Sequence, residues 1–552
     1  METSAESGTG TGAGVGHRRA VRFVSGLTGG LIGLLAAGVG VAVGEFAAAV
    51  SAAFGSRAPK APVVAVGEWA IDLSPAWLKE AAIRNFGSHD KAALLTGVYV
   101  TIAVVSVLTG MLARRHLGTA TGLAAAFGLL GLIAAITRPV VGFGAWFPAL
   151  LAGVATVAVL RGLTLRSLRP GLLGTAAEAV APDERRDRRE RREQTVRRER
   201  RRFLLTLFGT GTGALVGGFG SRAWLDSRYN VAPVRAAVVL PEAAEPLPAL
   251  PASVHPDVVE LEPFFTPNAQ FYRVDTALTV PQVDPRQWML RIHGMVARPF
   301  EVSFADLLRM PLEEHDLTLT CVSNTVGGPY CGNARWLGAP LAPLLRRAGV
   351  QAGADQILST SFDGMTIGTP VEAVLDGRQA MLAVAMNGQT LPVEHGFPCR
   401  MLVPGLYGYV SATKWVVDLE LTTFAKDAGF WVGEGWAQQA PVKTASRIDV
   451  PGTGATLQAG TVVVAGVAWA THRGVAGVEV QVDKGAWVTA DLATADTPDT
   501  WRQWSYPWHA TPGQHTLTVR CTDGTGTLQT PVVQDTLPDG ATGYHSIQVT
   551  IG

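Results

Sequence analysis

Charge is scarce in this 552-residue chain and almost balanced. Asp, Glu, Lys and Arg make up 16% of it, and the formal net charge is +1. So small a net charge gives no global electrostatic case for a nucleic-acid partner. Cysteine is equally rare. The four cysteines, Cys321, Cys331, Cys399 and Cys521, all fall in the C-terminal half. If one of them holds a metal, at most one disulfide can form from the rest, so cysteine usage assigns no redox compartment. That question passes to membrane topology.

Charged side chains and histidines are missing altogether from five apolar stretches: Phe23–Gly44, Ala92–Ala113, Leu117–Ile136, Val140–Leu160 and Phe203–Ser221. Each is roughly 20 residues long, enough to cross a hydrocarbon layer of about 30 Å. The first lacks a cleavage-site pattern and reads as a retained span. Pro148 interrupts the fourth. The missing charges count against a transporter or proton pump, which needs such groups near the midplane. A b-type haem needs paired histidines, and only His89 and His116 lie nearby, at loop ends; no haem is expected. A quinone site built from backbone and aromatic groups stays compatible with these residues. Gly26/Gly30, Gly40/Gly44 and Gly209/Gly213 have the small-xxx-small spacing of close helix packing, so a membrane anchor is the simplest reading.

Basic residues orient the spans. His17, Arg18, Arg19 and Arg22 precede the first, Arg114 and Arg115 join the second to the third, and Asp183–Arg202 joins the fourth to the fifth. The positive-inside rule makes these cytoplasmic, which places Ser51–Lys91 and everything after the fifth span outside. Asp183–Arg202 reads as a solvated charged helix, with attraction to anionic lipid heads as the functional alternative. Its end, Arg200-Arg201-Arg202-Phe203-Leu204, resembles the RRxFL core of a twin-arginine export signal, with Glu199 where Ser or Thr is usual. Ordinary positive-inside flanking is the other reading.

The chain therefore divides into a transmembrane domain at 1–222, with Met1–Gly16 expected to be disordered, and an extended Pro- and Ala-rich linker at 223–262. A mixed domain follows at 263–439. There WMLRIHGMV, TLTCV, CRMLVP and KWVVDLELT read as strands, and FADLLRM and LAPLLRRAGV as short helices, which makes it α+β. Residues 440–552 carry short strands between Gly, Pro and Asp turns, and Val478, Val480 and Val482 alternate with polar residues. That pattern indicates an all-β sandwich. Trp501, Trp504 and Trp508 read as its core or interface.

The chemistry centres on His315–Leu345. Leu317, Leu319 and Cys321 alternate with Thr318 and Thr320, a strand with one buried face. It delivers a thiol to the edge of a turn-rich segment, SNTVGGPYCGN, after which Trp336 and an apolar LGAPLAPLL helix resume packing. A lone thiolate suits molybdenum or copper, whereas structural zinc needs a closed set of four ligands. A buried thiol, or a Cys321–Cys331 disulfide, is the alternative.

TCVSN, GG and NARWLGAPLAPLL, with MNGQTLPVEHGFPCRMLVPGLYGYVSATKWV (Met386–Val416) and FFTPNAQFYRVD (Phe264–Asp275), resemble the sulfite-oxidase-type molybdopterin oxidoreductases. The resemblance covers roughly 264–436. It implies a molybdenum-molybdopterin cofactor, with Cys321 as the protein's metal ligand. It implies cofactor contacts from Asn268, Phe271, Tyr272, Arg273, Asp363, His395, Arg400, Ser411, Thr413 and Lys414. It also implies an immunoglobulin-like C-terminal domain of the kind through which such enzymes form homodimers. Sulfite-oxidising members carry Arg where this chain has Pro267. Arg273, Arg335 and Arg447 are left as anion-binding candidates, with Arg273 and Arg447 taken as catalytic alongside Cys321. The expectation is a membrane-anchored oxidoreductase that transfers an oxygen atom to or from a small substrate and exchanges two electrons with an unidentified carrier. Sulfite oxidation proper and a non-catalytic scaffold that kept the fold are the rivals; retention of Cys321 counts against the scaffold.

Overall fold

The computed structural model describes residues 12–54, 61–75, 78, 90–137, 143–168 and 185–552. The chain separates into two compact units, 1–74 with 81–230, and 75–80 with 231–552.

In the first unit, helices cover Gly12–Ala53, Pro62–Leu73, Asp90–Ala113, Leu117–Ile136, Phe143–Ser167 and Arg185–Tyr229. Four stretches among the described residues are long and apolar enough to cross a membrane: Gly26–Ser51, Lys91–Ala113, Leu117–Ile136 and Gly144–Ser167. The fifth expected span is not among them. It lies inside the 45-residue helix Arg185–Tyr229, continuous with the arginine-rich segment. Helix also begins at Gly12, inside the stretch expected to be disordered; residues 1–11 lie outside the described residues. The first span runs past Gly44 to Ser51 and takes in Glu45, which is 7% exposed. An uncharged interior therefore does not hold for that helix. Pro62–Leu73, with Pro at its first turn, was not foreseen: its 12 residues are too few to span, though they suit a short buried helix.

Glycine lets two of these helices touch along their backbones. A Cβ on Gly33 would lie 1.9 Å from Ser106 O and 2.9 Å from Gly110 Cα. Gly40 is as tight against Thr156 Oγ1, at 1.9 Å. Gly209 and Gly213, expected to pack in the same way, would meet nothing within 4 Å among the described residues.

The second unit opens with residues 231–262, which lie along the folded domain. Ala244 N–H donates to Leu312 O at 2.8 Å, Leu247 N–H to Glu314 at 2.9 Å, and Arg235 Nε to Leu391 O at 2.6 Å. The segment expected as an extended linker is thus bonded to its neighbour over much of its length.

The α+β part has two sheets. One runs β2 (Phe300–Ser303), β1 (Met289–Gly294), β10 (Val416–Thr422), β5 (Gln356–Ser361), β6 (Thr366–Pro370). The other runs β3 (Glu313–Thr320), β4 (Cys331–Pro340), β7 (Met381–Met386), β8 (Gln389–Thr390), with β9 (Arg400–Leu402) also paired to β7. Leu290, Ile292, Leu382, Val384, Leu419 and Leu421 are all fully buried in one core with Trp288 and Trp415. Each such aliphatic side chain contributes roughly 1.5–3 kcal/mol.

One boundary differs from the sequence reading. The turn-rich segment ends at Tyr330, not Asn333, because Cys331 pairs with Thr320 and opens β4. That strand then continues through Gly338 and Ala339 to Pro340, and the helix begins only at Leu341. Asn333 looks like a loop residue but is fully buried. Its amide donates to Phe264 O at 3.0 Å and its oxygen accepts from Thr318 Oγ1 at 3.0 Å.

The C-terminal part places two β-sheets around one core. The first is β11 (Ala445–Val450), β13 (Gly460–Trp469), β17 (Arg502–Ala510), β16 (Asp491–Leu492); the second is β12 (Thr456–Leu457), β19 (His545–Ile551), β18 (Gly513–Asp523), β14 (Val475–Val482), β15 (Trp487–Thr489). Val464 and Trp504 from one sheet meet Val478, Val480, Leu517 and Val519 from the other in that core. Trp501, Trp504 and Trp508 are all buried, as read from sequence, and the Trp501 indole donates to Phe264 O at 3.0 Å.

Candidate active site

Strand β3 ends at Thr320, and Cys321 opens the loop that returns to β4 at Cys331. The loop is internally bonded. Cys321 N–H donates to Tyr330 O at 2.9 Å, Tyr330 N–H to Asn324 Oδ1 at 2.8 Å, and Gly328 N–H to Thr325 O at 2.9 Å. Cys321 is the partly exposed cysteine, while Cys331, Cys399 and Cys521 are buried, and all four thiols are free. The Cys321–Cys331 disulfide alternative is therefore not realised. Burial raises the Cys321 pKa above its ordinary value, and hydrogen bonds from Ser323 and the charge of Lys414 act the other way.

An aromatic wall stands beside it. Phe271 stacks on Tyr272 at 5.4 Å and 20°, and meets Trp336 at 5.9 Å and His395 at 5.6 Å, both edge-on. Gly332 makes this approach possible: a Cβ there would lie 2.9 Å from the Phe271 ring. Burial, then the Cys321 and Cys331 sulfurs, hold the Tyr272 hydroxyl well above its ordinary pKa, so it stays protonated.

Three basic groups converge on this wall. His395 sits in a short turn, Val393–His395, and its Nε2 bonds Asn268 O at 3.2 Å. Burial, then the charges of Lys414 and Arg400, lower its pKa to about 3, so the ring is neutral. Arg400, on β9, donates from Nη1 to His395 O at 3.2 Å and lies over Trp336 at 5.2 Å. Burial lowers its pKa to about 10. Lys414 Nζ donates to Asp275 at 3.0 Å, and Arg273 Nε shares that carboxylate at 2.8 Å. Burial brings Lys414 down to about 8, against the pull of Asp275.

The remaining candidates separate by what they touch. Asn268 donates to Met386 O at 3.2 Å and accepts from Asn387 at 2.9 Å. The Ser411 hydroxyl donates to Leu406 O and Tyr407 O, and Thr413 shares a 2.6 Å bond with Ser359; both hydroxyls serve the fold. Asp363 accepts from Met365 N–H at 3.3 Å, inside the β5–β6 turn. Arg447 donates to Glu262 at 2.8 Å, to Asp449, and to Gly328 O at 3.0 Å. Burial, the largest influence, opposes its charge, but Asp449, Cys331 and Glu262 together hold the pKa above its ordinary value. Arg335 grips Asp316 with two nitrogens, at 2.8 and 2.7 Å.

Among the described residues, His395 Nδ1, Arg400 Nε and Ser361 Oγ are buried polar atoms that lack a partner. Leaving such atoms unmet costs about 1–3 kcal/mol each. Two of the three flank Phe271 and Trp336, with Lys414 and Cys321 close by. This donor set fits a large, polar, anionic ligand with one soft metal position: cations for a phosphate, amide-type donors for a pterin, one thiolate for the metal. Sequence reading did not single out Asp275 or Ser361. Asp275 lies two residues from Arg273 in the same block, and its proximity was the one available signal.

The oxidoreductase molybdopterin binding domain family matches residues 277–431. An uncharacterized oxidoreductase of Bacillus subtilis, YuiH, is 32% identical over 153 residues, spanning 28% of this chain and 74% of that protein. The chain belongs to the sulfite-oxidase-type molybdopterin oxidoreductases. Rat mitochondrial sulfite oxidase is 28% identical over 341 residues, covering 53% of this chain and 61% of the relative. Chicken sulfite oxidase is 30% identical over 296 residues, covering 45% and 63%. The chain thus spans less than two thirds of these sulfite oxidases. The sulfane dehydrogenase SoxCD of Paracoccus pantotrophus superposes with a TM-score of 0.46 at 25% identity, covering 52% of this chain and 82% of that one. Residues 277–431 are thus a molybdopterin-binding domain of that family. His395, Arg400, Lys414 and Cys321 would hold the cofactor, with Phe271 and Tyr272 as the wall beside it.

Proposed function

We propose that this sulfite-oxidase-type enzyme is anchored in the cell membrane with its catalytic part outside the cytoplasm, and that it moves an oxygen atom to or from a small, weakly charged substrate such as a sulfoxide. Reduction of a sulfoxide consumes two electrons and two protons and yields the sulfide and water, so an electron carrier is required. When bound, the cofactor supplies the redox and oxygen-transfer chemistry. The chain's own residues do the rest. Cys321 offers a thiolate, Arg400 and Lys414 offer positive charge, neutral His395 offers a ring nitrogen, and Tyr272 keeps its proton.

One observation carries the substrate class. Most cations near Cys321 are already matched by carboxylates, Arg273 and Lys414 sharing Asp275 and Arg447 holding Glu262 and Asp449; Arg400, bonded to the His395 carbonyl, is the exception and is given to the cofactor. Arg335 is matched by Asp316. A compact dianion such as sulfite needs convergent uncommitted cations, and by the family resemblance Pro267 stands where sulfite-oxidising members carry Arg. The second reading, sulfite oxidation, is favoured by relatives named sulfite oxidase. Steady-state turnover of sulfite and of a dialkyl sulfoxide, each with an artificial electron carrier, separates the two. The sulfoxide is expected to have the higher kcat/KM by about tenfold or more, roughly 1.4 kcal/mol in transition-state energy. Efficient sulfite turnover that collapses in Arg273→Ala or Arg447→Ala would overturn this assignment.

Basic loops on one side, with four or five spans, support the anchoring. The immunoglobulin-like reading of the C-terminal sheets, and a homodimer through them, rest on the family resemblance. So does export by the twin-arginine route, which suits a protein that folds around its cofactor before crossing. Replacing Arg200 and Arg201 by Lys is expected to leave the catalytic part inside while keeping the charge pattern of the spans. Unchanged cleavage by an external protease would show that the arginine pair has no export role.

A further inference from the structure

The loop that carries Cys321 is held from behind by a different part of the chain. Arg447, on β11, sends Nη1 to the Gly328 carbonyl at 3.0 Å, while its other nitrogens are fixed by Glu262 and Asp449. Arg447 is 7% exposed, so this fork has little freedom. Beside it, His545 at the start of β19 accepts the Ile448 N–H on Nδ1 at 3.0 Å. Its ring therefore carries its proton on Nε2, and that edge lies against Gly327, where a Cβ would stand 2.2 Å from Cδ2 and 2.3 Å from Nε2. Gly327 has φ +74°, a left-handed turn that glycine adopts without strain. Gly328 is closed in as well, since a Cβ there would meet Asn324 Oδ1 at 2.6 Å. The strand before the cysteine is gripped from the same side. Thr318 N–H donates to Asp499 O at 3.0 Å, and Trp501 N–H donates to Thr318 Oγ1 at 2.7 Å.

We infer that Arg447 and His545 are positioning residues for Cys321, so that the C-terminal β-sheets are a working part of the catalytic site. The inference rests on Cys321 being the metal ligand, as proposed above. Neither side chain is bonded to the thiol. Both bear on Gly327 and Gly328, and the loop's own bonds, Gly328 N–H to Thr325 O and Cys321 N–H to Tyr330 O, carry the constraint to Cys321. A thiolate displaced by a fraction of an ångström changes its overlap with a metal, and misplacement of about 1 Å can cost a hundredfold in rate.

The test uses the molybdenum-loaded full-length enzyme. Arg447→Lys keeps a positive charge against Glu262 and Asp449 but cannot hold both and Gly328 O at once. His545→Asn keeps an acceptor for Ile448 N–H and removes the ring from Gly327. Each variant is expected to retain its molybdenum within about twofold and to lower kcat by about tenfold to a hundredfold, with a much smaller change in KM. Each is also expected to shift the electron paramagnetic resonance signal of the half-reduced metal. Arg520→Gln, which breaks a surface pair with Glu479 on the same sheets, should change neither reading. A lower melting temperature with a wild-type signal and kcat would mean that Arg447 and His545 are merely structural, and would overturn the inference. If Arg447→Lys does not fold, His545→Asn decides alone. Absence of molybdenum from the wild-type enzyme would instead overturn the earlier proposal.

Discussion

Cys321→Ser is expected to abolish turnover while leaving the fold in place. The substitution swaps a soft, polarizable thiolate for a hard hydroxyl that stays protonated at neutral pH, and molybdenum chemistry depends on the former. The volume change is small and the side chain is partly exposed at a loop entrance, so the stability change should stay within about 1 kcal/mol. Cys331, Cys399 and Cys521 make the controls. They are 3%, 0% and 1% exposed, and burial pushes Cys331 up to about 12 and the other two well above the ordinary thiol value. Each replaced by Ser should still bind molybdenum. Elemental analysis, turnover with an artificial carrier and a thermal melt on the four variants make the measurement. Full turnover by Cys321→Ser would sink the ligand assignment.

The second large effect is expected at Asp275. Its carboxylate is 5% exposed and answers both Lys414, 10% exposed, and Arg273, one third exposed. Asp275→Asn removes the countercharge and leaves a buried ammonium without it. Breaking a buried pair from one side costs about 3–5 kcal/mol, chiefly because the surviving charge stays desolvated. A fall in cofactor-free stability of at least about 3 kcal/mol is therefore expected, read from denaturant midpoints at constant m-value. Lys414→Met alone should cost less, since the remaining carboxylate keeps Arg273, yet it should strip the enzyme of bound molybdenum by removing a phosphate or pterin partner. The double variant Asp275→Asn/Lys414→Met should regain part of the lost stability and none of the metal. That non-additivity is the signature of a direct charge pair. Additive losses in the cycle would show that Asp275 and Lys414 act independently.

The candidate residues could be named from sequence wherever a motif delivered them as a block. Cys321 after an alternating strand, and His395, Arg400 and Lys414 within one 20-residue run, needed no long-range information. What was not legible depends on pairing across the chain. Asp275 and Lys414 are 139 positions apart, and nothing local marks the aspartate as a shared partner. Arg447 stood out as a basic residue at a domain boundary, but its partners Glu262 and Gly328, 185 and 119 positions away, are fixed by tertiary packing alone. The same cause explains the misplaced start of β4: Asn333 and Gly332 have poor strand propensity. Asn333 is admitted by its bonds to Phe264 O and Thr318, and Gly332 by the ring of Phe271 above it. At Glu45 the error has another origin, a hydropathy boundary drawn at the first charge when the helix continues beyond it.

The placement of His545 and Asp499 against the Cys321 loop and its strand has a temporal meaning. During synthesis the cysteine, the histidine turn and the basic groups all leave the ribosome well before the residues that brace them. A nascent chain that ends near Ala440 carries every ligand proposed above, yet the carbonyl of Gly328 has no guanidinium, Gly327 has no imidazole beside it, and the N–H of Thr318 has no acceptor from Asp499. Domains generally fold as units during synthesis, the N-terminal ones first. Under the positioning role inferred above, the pocket would reach its final shape only once β19, the last strand of the chain, closes behind it.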